Sequence, residues 1–263
     1  DAGEGMAAYI DSSGNVHLVM SDGTGGVSDI DAASTAAAGT DGWVHVAVTV
    51  DRDGSADFFI DGAYSNSVDV SSFSDVAISN SAPLLIGKSK DDSNYLNGSI
   101  DEIRVWNDVR SDVEIAQNYA GKISNESSEA NLVGYWDFET TADPGGFAVD
   151  ASSSNNNLYA GDPAVDGDAD TAQGGLVEHL SQALSFDGSD DVINITNPGN
   201  IISGDNDFTW EASIRLTDVT PHMYIASVGD TSGVAGGQLF VAVDGTLQFD
   251  LAGSTNGPVS ATT

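Results

Sequence analysis

The 263-residue chain contains no cysteine. That absence excludes disulfide staples, thiol nucleophiles and thiolate metal sites together. Basic residues are nearly as scarce, with 7 Lys and Arg against 41 Asp and Glu and a formal net charge of −34. So acidic a surface repels phosphate backbones and anionic headgroups, which excludes nucleic acid as a partner. No apolar run approaches the roughly 20 residues that a membrane-spanning helix needs, so no membrane insertion is expected. No signal peptide precedes Asp1 either, as expected of a mature or excised segment whose export signal lies outside it.

What the chain does have is apolar alternation. In Phe208, Trp210, Ala212, Ile214 and Leu216 the inward set alternates with Thr209, Glu211, Ser213 and Arg215. Val44, Val46, Val48 and Val50 repeat the pattern, as do Leu247, Phe249 and Leu251. A two-residue period is that of a strand with one buried face. Asp53-Gly54, Asp61-Gly62, Asn97-Gly98, Asp187-Gly188 and Asp244-Gly245 punctuate the runs, where glycine can supply the positive φ of a hairpin. Many short strands with regular turns predict an all-β antiparallel sandwich or barrel. One segment reads as helix, Ser111 to Ala120, with Ser111 and Glu114 spaced as a capping box and Gly121 as its stop.

Residues 123–130, rich in Ser, Asn and Glu, read as a short solvated linker, and 155–175 as a long polar loop. Gly236 to Leu251 echoes Gly3 to Met20, the two stretches lying roughly 230 residues apart. Val241-Ala242-Val243-Asp244-Gly245 answers Ala8-Tyr9-Ile10-Asp11, with two extra residues before Gly14. The chain is therefore expected to begin and end at one phase of a longer repeat.

Several segments resemble the laminin-G-like, concanavalin A-like jelly-roll family. Leu132 to Glu139 looks like its opening strand, Ala183 to Gly188 followed by Asp191 to Ile195 like its phenylalanine-aspartate-glycine hairpin, and Phe208 to Ile214 like the next inner strand. The later half of the pattern comes first in this chain: Trp43 to Asp51 resembles the tryptophan-histidine-valine strand, followed by Phe58 to Gly62, Leu85 to Gly87, and Leu96 to Trp106 as the closing strand. The resemblance implies a jelly-roll β-sandwich in circularly rotated order. Half a sandwich would expose its whole apolar inner face. Residues 1–122 and 131–263 are therefore expected to close on each other as one permuted sandwich, or on neighbouring units.

The resemblance also implies a structural calcium ion. Calcium takes six to eight oxygen ligands, and Asp150 to Asn157 looks like the family's aspartate-serine-asparagine loop. Its ligands would be Asp150, Asn155 and Asn157 in that loop, with Glu139 and Asp101 or Glu102 from the first and last strands. Ser153 or Ser154 stands where that loop usually has glycine, a departure at a backbone ligand. The alternative is an Asx-turn loop holding no ion. The implied role is that of a non-enzymatic, calcium-stabilised adhesion or carbohydrate-binding module of a repetitive extracellular protein from a bacterium or archaeon. Cell-surface or matrix glycans, or adjoining repeat units, would be its partners.

Two other readings stay open: a structural spacer or fibre-forming repeat, and a glycoside hydrolase. For the second, Asp137 and Glu139 supply only a pair where such glycosidases carry an acidic triplet, and strict strand alternation would put Asp101 and Glu102 on opposite faces. His45 is expected to pack, and His17, His179 and His222 lack metal-ligand spacing. Tyr64, Tyr95, Tyr159, Phe147 and Tyr224 lie near turns without forming a recognisable sugar site. The sequons at Asn97, Asn125 and Asn194 are what a chain rich in Asn, Ser and Thr throws up by chance.

Overall fold

The computed structural model describes residues 4–22, 30–37, 42–75, 84–88, 94–139, 147–156, 158–160, 183–189, 191–195, 206–218, 223–228, 237–241, 247–251 and 259–260. Its strands are β1 (Glu4–Ile10), β2 (Asn15–Asp22), β3 (Ile30–Ala37), β4 (Val44–Val50), β5 (Ser55–Ile60), β6 (Ala63–Asp69), β7 (Leu84–Ile86), β8 (Asn97–Trp106), β9 (Leu132–Trp136), β10 (Phe147–Ala148), β11 (Leu158–Ala160), β12 (Leu184–Asp187), β13 (Ile193–Ile195), β14 (Phe208–Leu216), β15 (Met223–Val228), β16 (Gly237–Val241), β17 (Leu247–Leu251) and β18 (Val259–Ser260). A single α-helix among the described residues, α1 (Asp112–Asn118), follows β8.

The fold is an antiparallel β-sandwich of the concanavalin A-like kind. One sheet runs β10-β11-β13-β7-β15-β1-β2-β3 and the other β12-β8-β14-β4-β5-β6, with β9 also paired to β8. β16, β17 and β18 form a small third sheet. Strands from both sides of the 123–130 segment share each large sheet: β14 lies between β8 and β4, and β15 between β7 and β1.

The alternation legible in the sequence decides the packing. Val46, Val48 and Val50 of β4 and Trp210, Ala212 and Ile214 of β14 face a common core with Ile10, Leu18, Ile86, Ile193 and Ile225 of the opposite sheet. Trp136 and Trp210 are among the largest fully buried side chains there. Emptying the space of such a residue costs about 3–5 kcal/mol, so these two indoles set much of the sandwich's stability.

Local signals act as chemistry requires at several turns. Asp61 (φ 49°) and Gly62 (φ 72°) both take positive φ between β5 and β6, which is what a two-residue hairpin turn matching strand twist demands. Ser111 caps α1 by accepting from Glu114 N at 3.4 Å, while the Glu114 carboxylate accepts from Ser111 N at 2.9 Å. The helix ends at Asn118 with Tyr119 as its C-cap, two residues short of Ala120.

Asn97-Gly98 is not a turn. Both residues open β8, where Gly98 is paired with Phe186 on one side and Leu216 on the other. A Cβ at Gly98 would strike the backbone of Arg215, so this glycine permits a close strand approach, not a reversal. The 123–130 segment is mostly exposed, but Ile123 is buried with Trp106, Leu132 and Tyr135. It is thereby anchored to the outer side of the β8 sheet.

Candidate functional site

The site grows from an irregularity in β8. Glu211 of β14 pairs with Arg104, and Ser213 pairs with Asp101, so Glu102 and Ile103 together oppose the single residue Ala212. Glu102 takes φ 51° to accommodate the extra residue, and two residues against one is the definition of a β-bulge. Ile100 and Ile103 both enter the core. The two residues between them, Asp101 and Glu102, therefore fall together on the outer side. The expectation that they face opposite ways fails because the bulge inserts one residue into the alternation.

Both carboxylates are buried, Asp101 at 0% and Glu102 at 2% exposure. Glu102 Oε2 accepts from Arg104 NH2 at 2.7 Å and from the Tyr135 hydroxyl at 2.7 Å. Asp101 Oδ1 accepts from Glu102 N at 2.7 Å. Asp101 Oδ2 and Glu102 Oε1 are buried without a hydrogen-bond partner. Burial, followed by the negative charge of Glu102, Glu139 and Asp137, pushes the Asp101 carboxyl up to about 8. Burial and the neighbouring Glu102 charge likewise push the Tyr135 phenol above its ordinary range.

Asp137 and Glu139 extend the cluster. Lys122 Nζ donates to Asp137 Oδ2 at 3.1 Å and lies 3.6 Å from Glu139 Oε1. Desolvation opposes the charge on Lys122, but these carboxylates outweigh it and raise its pKa. The ammonium is 41% exposed, so the bridge is worth no more than about 1 kcal/mol. Arg104 and Lys122 are thus the cations that face this cluster of Asp101, Glu102, Asp137 and Glu139 among the described residues.

Alongside runs a second buried network. Glu211 Oε1 accepts from Trp106 Nε1 at 2.6 Å. Its Oε2 accepts from His45 Nε2 at 3.1 Å and lies 3.6 Å from Arg104 NH1. Burial alone would raise the Glu211 pKa, but the His45 hydrogen bond and the Arg104 charge hold it below the usual carboxylate range. Arg104 also donates to the carbonyls of Asn118 and Gly121, so the segment after α1 is laid across these charges. His45 packs, as its place in a strand suggests, with its ring edge-on to Tyr119 and the ring centroids 6.1 Å apart.

Asp150 sits elsewhere in the arrangement. Its Oδ1 accepts from Tyr135 N and Ser152 N, both at 2.9 Å, and its Oδ2 from Ser152 Oγ at 2.9 Å and Asn156 N at 2.8 Å. Four donors on one buried carboxylate make it the hub of an Asx-turn loop. Asn155, at φ 58°, turns that loop, and Asn157 lies outside the described residues. Tyr135 joins the two regions, its backbone at Asp150 and its hydroxyl at Glu102. Among the described residues no three His, Asp or Glu side chains are disposed as a metal cage. Among the described residues, Asp101 Oδ2, Glu102 Oε1 and Asp108 Oδ1 are the buried carboxylate oxygens without a hydrogen-bond partner, and the first two belong to this cluster.

A third feature is aromatic. Tyr64 is 54% and Tyr119 36% exposed, and each lies beside the β5–β6 hairpin. Tyr64 stands edge-on to Phe59 at 5.9 Å, and the Tyr119 ring lies where a Cβ on Gly62 would project. Asp61, exposed at the same turn, accepts from His45 N at 2.9 Å.

Residues 1–116 match the family model of the concanavalin A-like lectin/glucanases superfamily. That segment is similar to the superfamily. Neither a curated protein nor a solved structure matches the chain.

The lectin/glucanase superfamily embraces sugar binding and sugar hydrolysis, and the side chains distribute unevenly between them. The five aromatic residues singled out in the sequence are spread over β6, β10, β11, β15 and the stretch before β8. Tyr224 is fully buried beside Tyr9 and His17, and the side chains of Phe147 and Tyr159 lie outside the described residues. Tyr119, which lies beside the same hairpin as Tyr64, was hidden in the sequence because it reads as the end of a connector helix. The four-carboxylate cluster was half visible, in Asp101, Glu102 and Glu139. Asp137 was read only as part of an incomplete glycosidase pattern, and Lys122 carried no signal at all.

Proposed function

We propose that this protein is a non-enzymatic, carbohydrate-binding adhesion module of an extracellular protein, with residues 1–122 and 131–263 closing into one circularly rotated sandwich. The superfamily match and the sandwich support the lectin-like reading. The observation that carries it to a place on the surface is the Tyr64–Tyr119 shelf. Two exposed aromatic side chains beside the Asp61-Gly62 turn combine a large apolar contact with the Asp61 carboxylate as an acceptor for sugar hydroxyls.

Calcium is the stabilising ion in this reading, with Asp101, Glu102 and Glu139 as its candidate ligands and Asp137 beside them, side chains that are not preformed as a cage and would close on the ion as it binds. Two buried acceptors lacking donors, in a cluster with excess negative charge, are what a hard cation satisfies. Asp150 supports this position through Tyr135, as the hub of its own loop.

The test is a glycan array probed with the intact chain in calcium, repeated with Tyr64→Ala and Tyr119→Ala. The expected result is binding to a defined glycan class that both substitutions weaken by tenfold or more while the melting temperature holds. Binding untouched by either substitution would remove the shelf as the site. Release of reducing sugar would replace the whole reading with the hydrolase one.

A further inference from the structure

β15 offers its edge to a strand from the far end of the sequence. Met6 of β1 pairs with Val228 and Ala8 with Ala226, although the strand following β15 in sequence is β16, after residues 229–236. Successive antiparallel strands usually pair as a hairpin. Here β16 pairs instead with β17 in a separate sheet.

β16 and β17 carry the pattern of β1 and β2. With Asp244 set against Asp11, Val241 and Val243 fall at Ala8 and Ile10, and Leu247, Phe249 and Leu251 fall at Val16, Leu18 and Met20. All five residues of the first copy face the core, and all five of the second are apolar. At the outward position His17, the second copy has the polar Gln248. β2 is followed by β3, and β17 is followed by β18, each pairing antiparallel. A three-stranded sheet with one apolar face needs a core to cover it. The molecule holds two such elements and one edge of β15 to receive them.

We infer that β1–β3 and β16–β18 are interchangeable copies of one element, and that the β15 edge is an exchange site. When β16–β18 takes the edge by closing a hairpin onto β15, β1–β3 is released to complete β15 of a second copy of this chain. The partner is identified by complementarity: the released strands already carry the register and the apolar face that β15 accepts. Strand addition of this kind joins molecules head to tail without any new surface. The inference rests on strand pairing and the repeated pattern, and stands apart from the sugar-binding reading.

The absence of cysteine makes cross-linking clean. In the full chain, Ala8→Cys with Ala226→Cys reports β1 at the edge, and Ala226→Cys with Val241→Cys reports β16 there. Mixing the single variants A8C and A226C at high concentration reports exchange between molecules. Non-reducing gels and peptide mapping after oxidation read all three. The pairs Met6→Cys with Val228→Cys and Val228→Cys with Leu239→Cys repeat the test should a cysteine at 8 or 226 disturb folding. The expected result is an 8–226 bond within the monomer, a 226–241 bond that accumulates during incubation below the melting transition, and an 8–226 heterodimer from the mixture. An 8–226 bond with neither of the others would overturn the inference, and so would a 226–241 bond alone, because one copy would then hold the edge permanently.

Discussion

Trp106 Nε1 donates to Glu211 Oε1 at 2.6 Å, tying β8 to its neighbour β14 across the outer face of the sheet. The other Glu211 oxygen faces His45 and Arg104. One fully buried carboxylate thus joins an indole and a guanidinium of β8 to an imidazole of β4. Its charge is tolerated because each neighbour donates to it or neutralises it.

Replacing Glu211 by Gln leaves Arg104 with less compensation in a buried site, and losing one partner of a buried pair costs about 3–5 kcal/mol. The pH dependence has a definite sign. Glu211 has a depressed folded pKa, so its contribution is present above the unfolded carboxylate value and is lost as pH falls through the folded one. Urea melts from pH 7 downward should show E211Q less stable than the parent at neutral pH, with the gap closing in acid. A constant gap would mean that the charge on Glu211 is not what stabilises the network.

Asp101 behaves in the opposite sense. Its carboxyl is pushed up to about 8 by burial and by Glu102, Glu139 and Asp137. A raised folded pKa gives stability that is complete below the unfolded value near 3.8 and lost as pH rises through about 8. In chelator, the parent should therefore lose stability progressively across that window, and Asp101→Asn, which cannot ionise, should flatten the slope. Equal slopes for the two proteins would contradict the assignment.

The strand alternation, the hairpin at Asp61-Gly62 and the helix cap at Ser111 were legible because each rests on near neighbours in sequence. The Val46–Trp210 core followed directly from the two-residue period. The bulge at Glu102 was not legible, since nothing local marks where one strand gains a residue against its neighbour, and with it went the true facing of Asp101 and Glu102. Lys122 and Tyr119 were missed for a related reason. Tyr119 reads as a helix end and Lys122 merely precedes a solvated linker, and both acquire their place only when Ile123 and Arg104 draw the chain over the sheet. Asn97-Gly98 misled in the other direction, because a glycine chosen for close strand approach carries the same letters as a turn.

The shelf at the β5–β6 hairpin depends on Gly62. Its φ of 72° is costly for any L side chain, and a Cβ would run into the Tyr119 ring. Gly62→Ala should lower stability by about 1–2 kcal/mol and, by moving Tyr119, weaken glycan binding about as much as Tyr119→Ala. If G62A binds normally, the Tyr119 ring contributes nothing to recognition.

Calcium and pH act on one cluster and must therefore be coupled. A cation binding the native state alone adds stability of about 2.7 kcal/mol at a hundred times its dissociation constant. Held by Asp101 and Glu102, it would favour the ionised Asp101 carboxyl and so oppose the loss of stability with rising pH. Thermal melts in calcium and in chelator, each at pH 5 and pH 8, should show the larger calcium effect at pH 8, where the ion no longer competes with the proton on Asp101. Asp101→Asn should shrink that difference, whereas Asp150→Asn, which dismantles a hydrogen-bonded loop, should lower stability while leaving the calcium increment in place. A calcium increment lost with D150N and kept with D101N would move the ion to the loop, and no increment in the parent would remove it altogether.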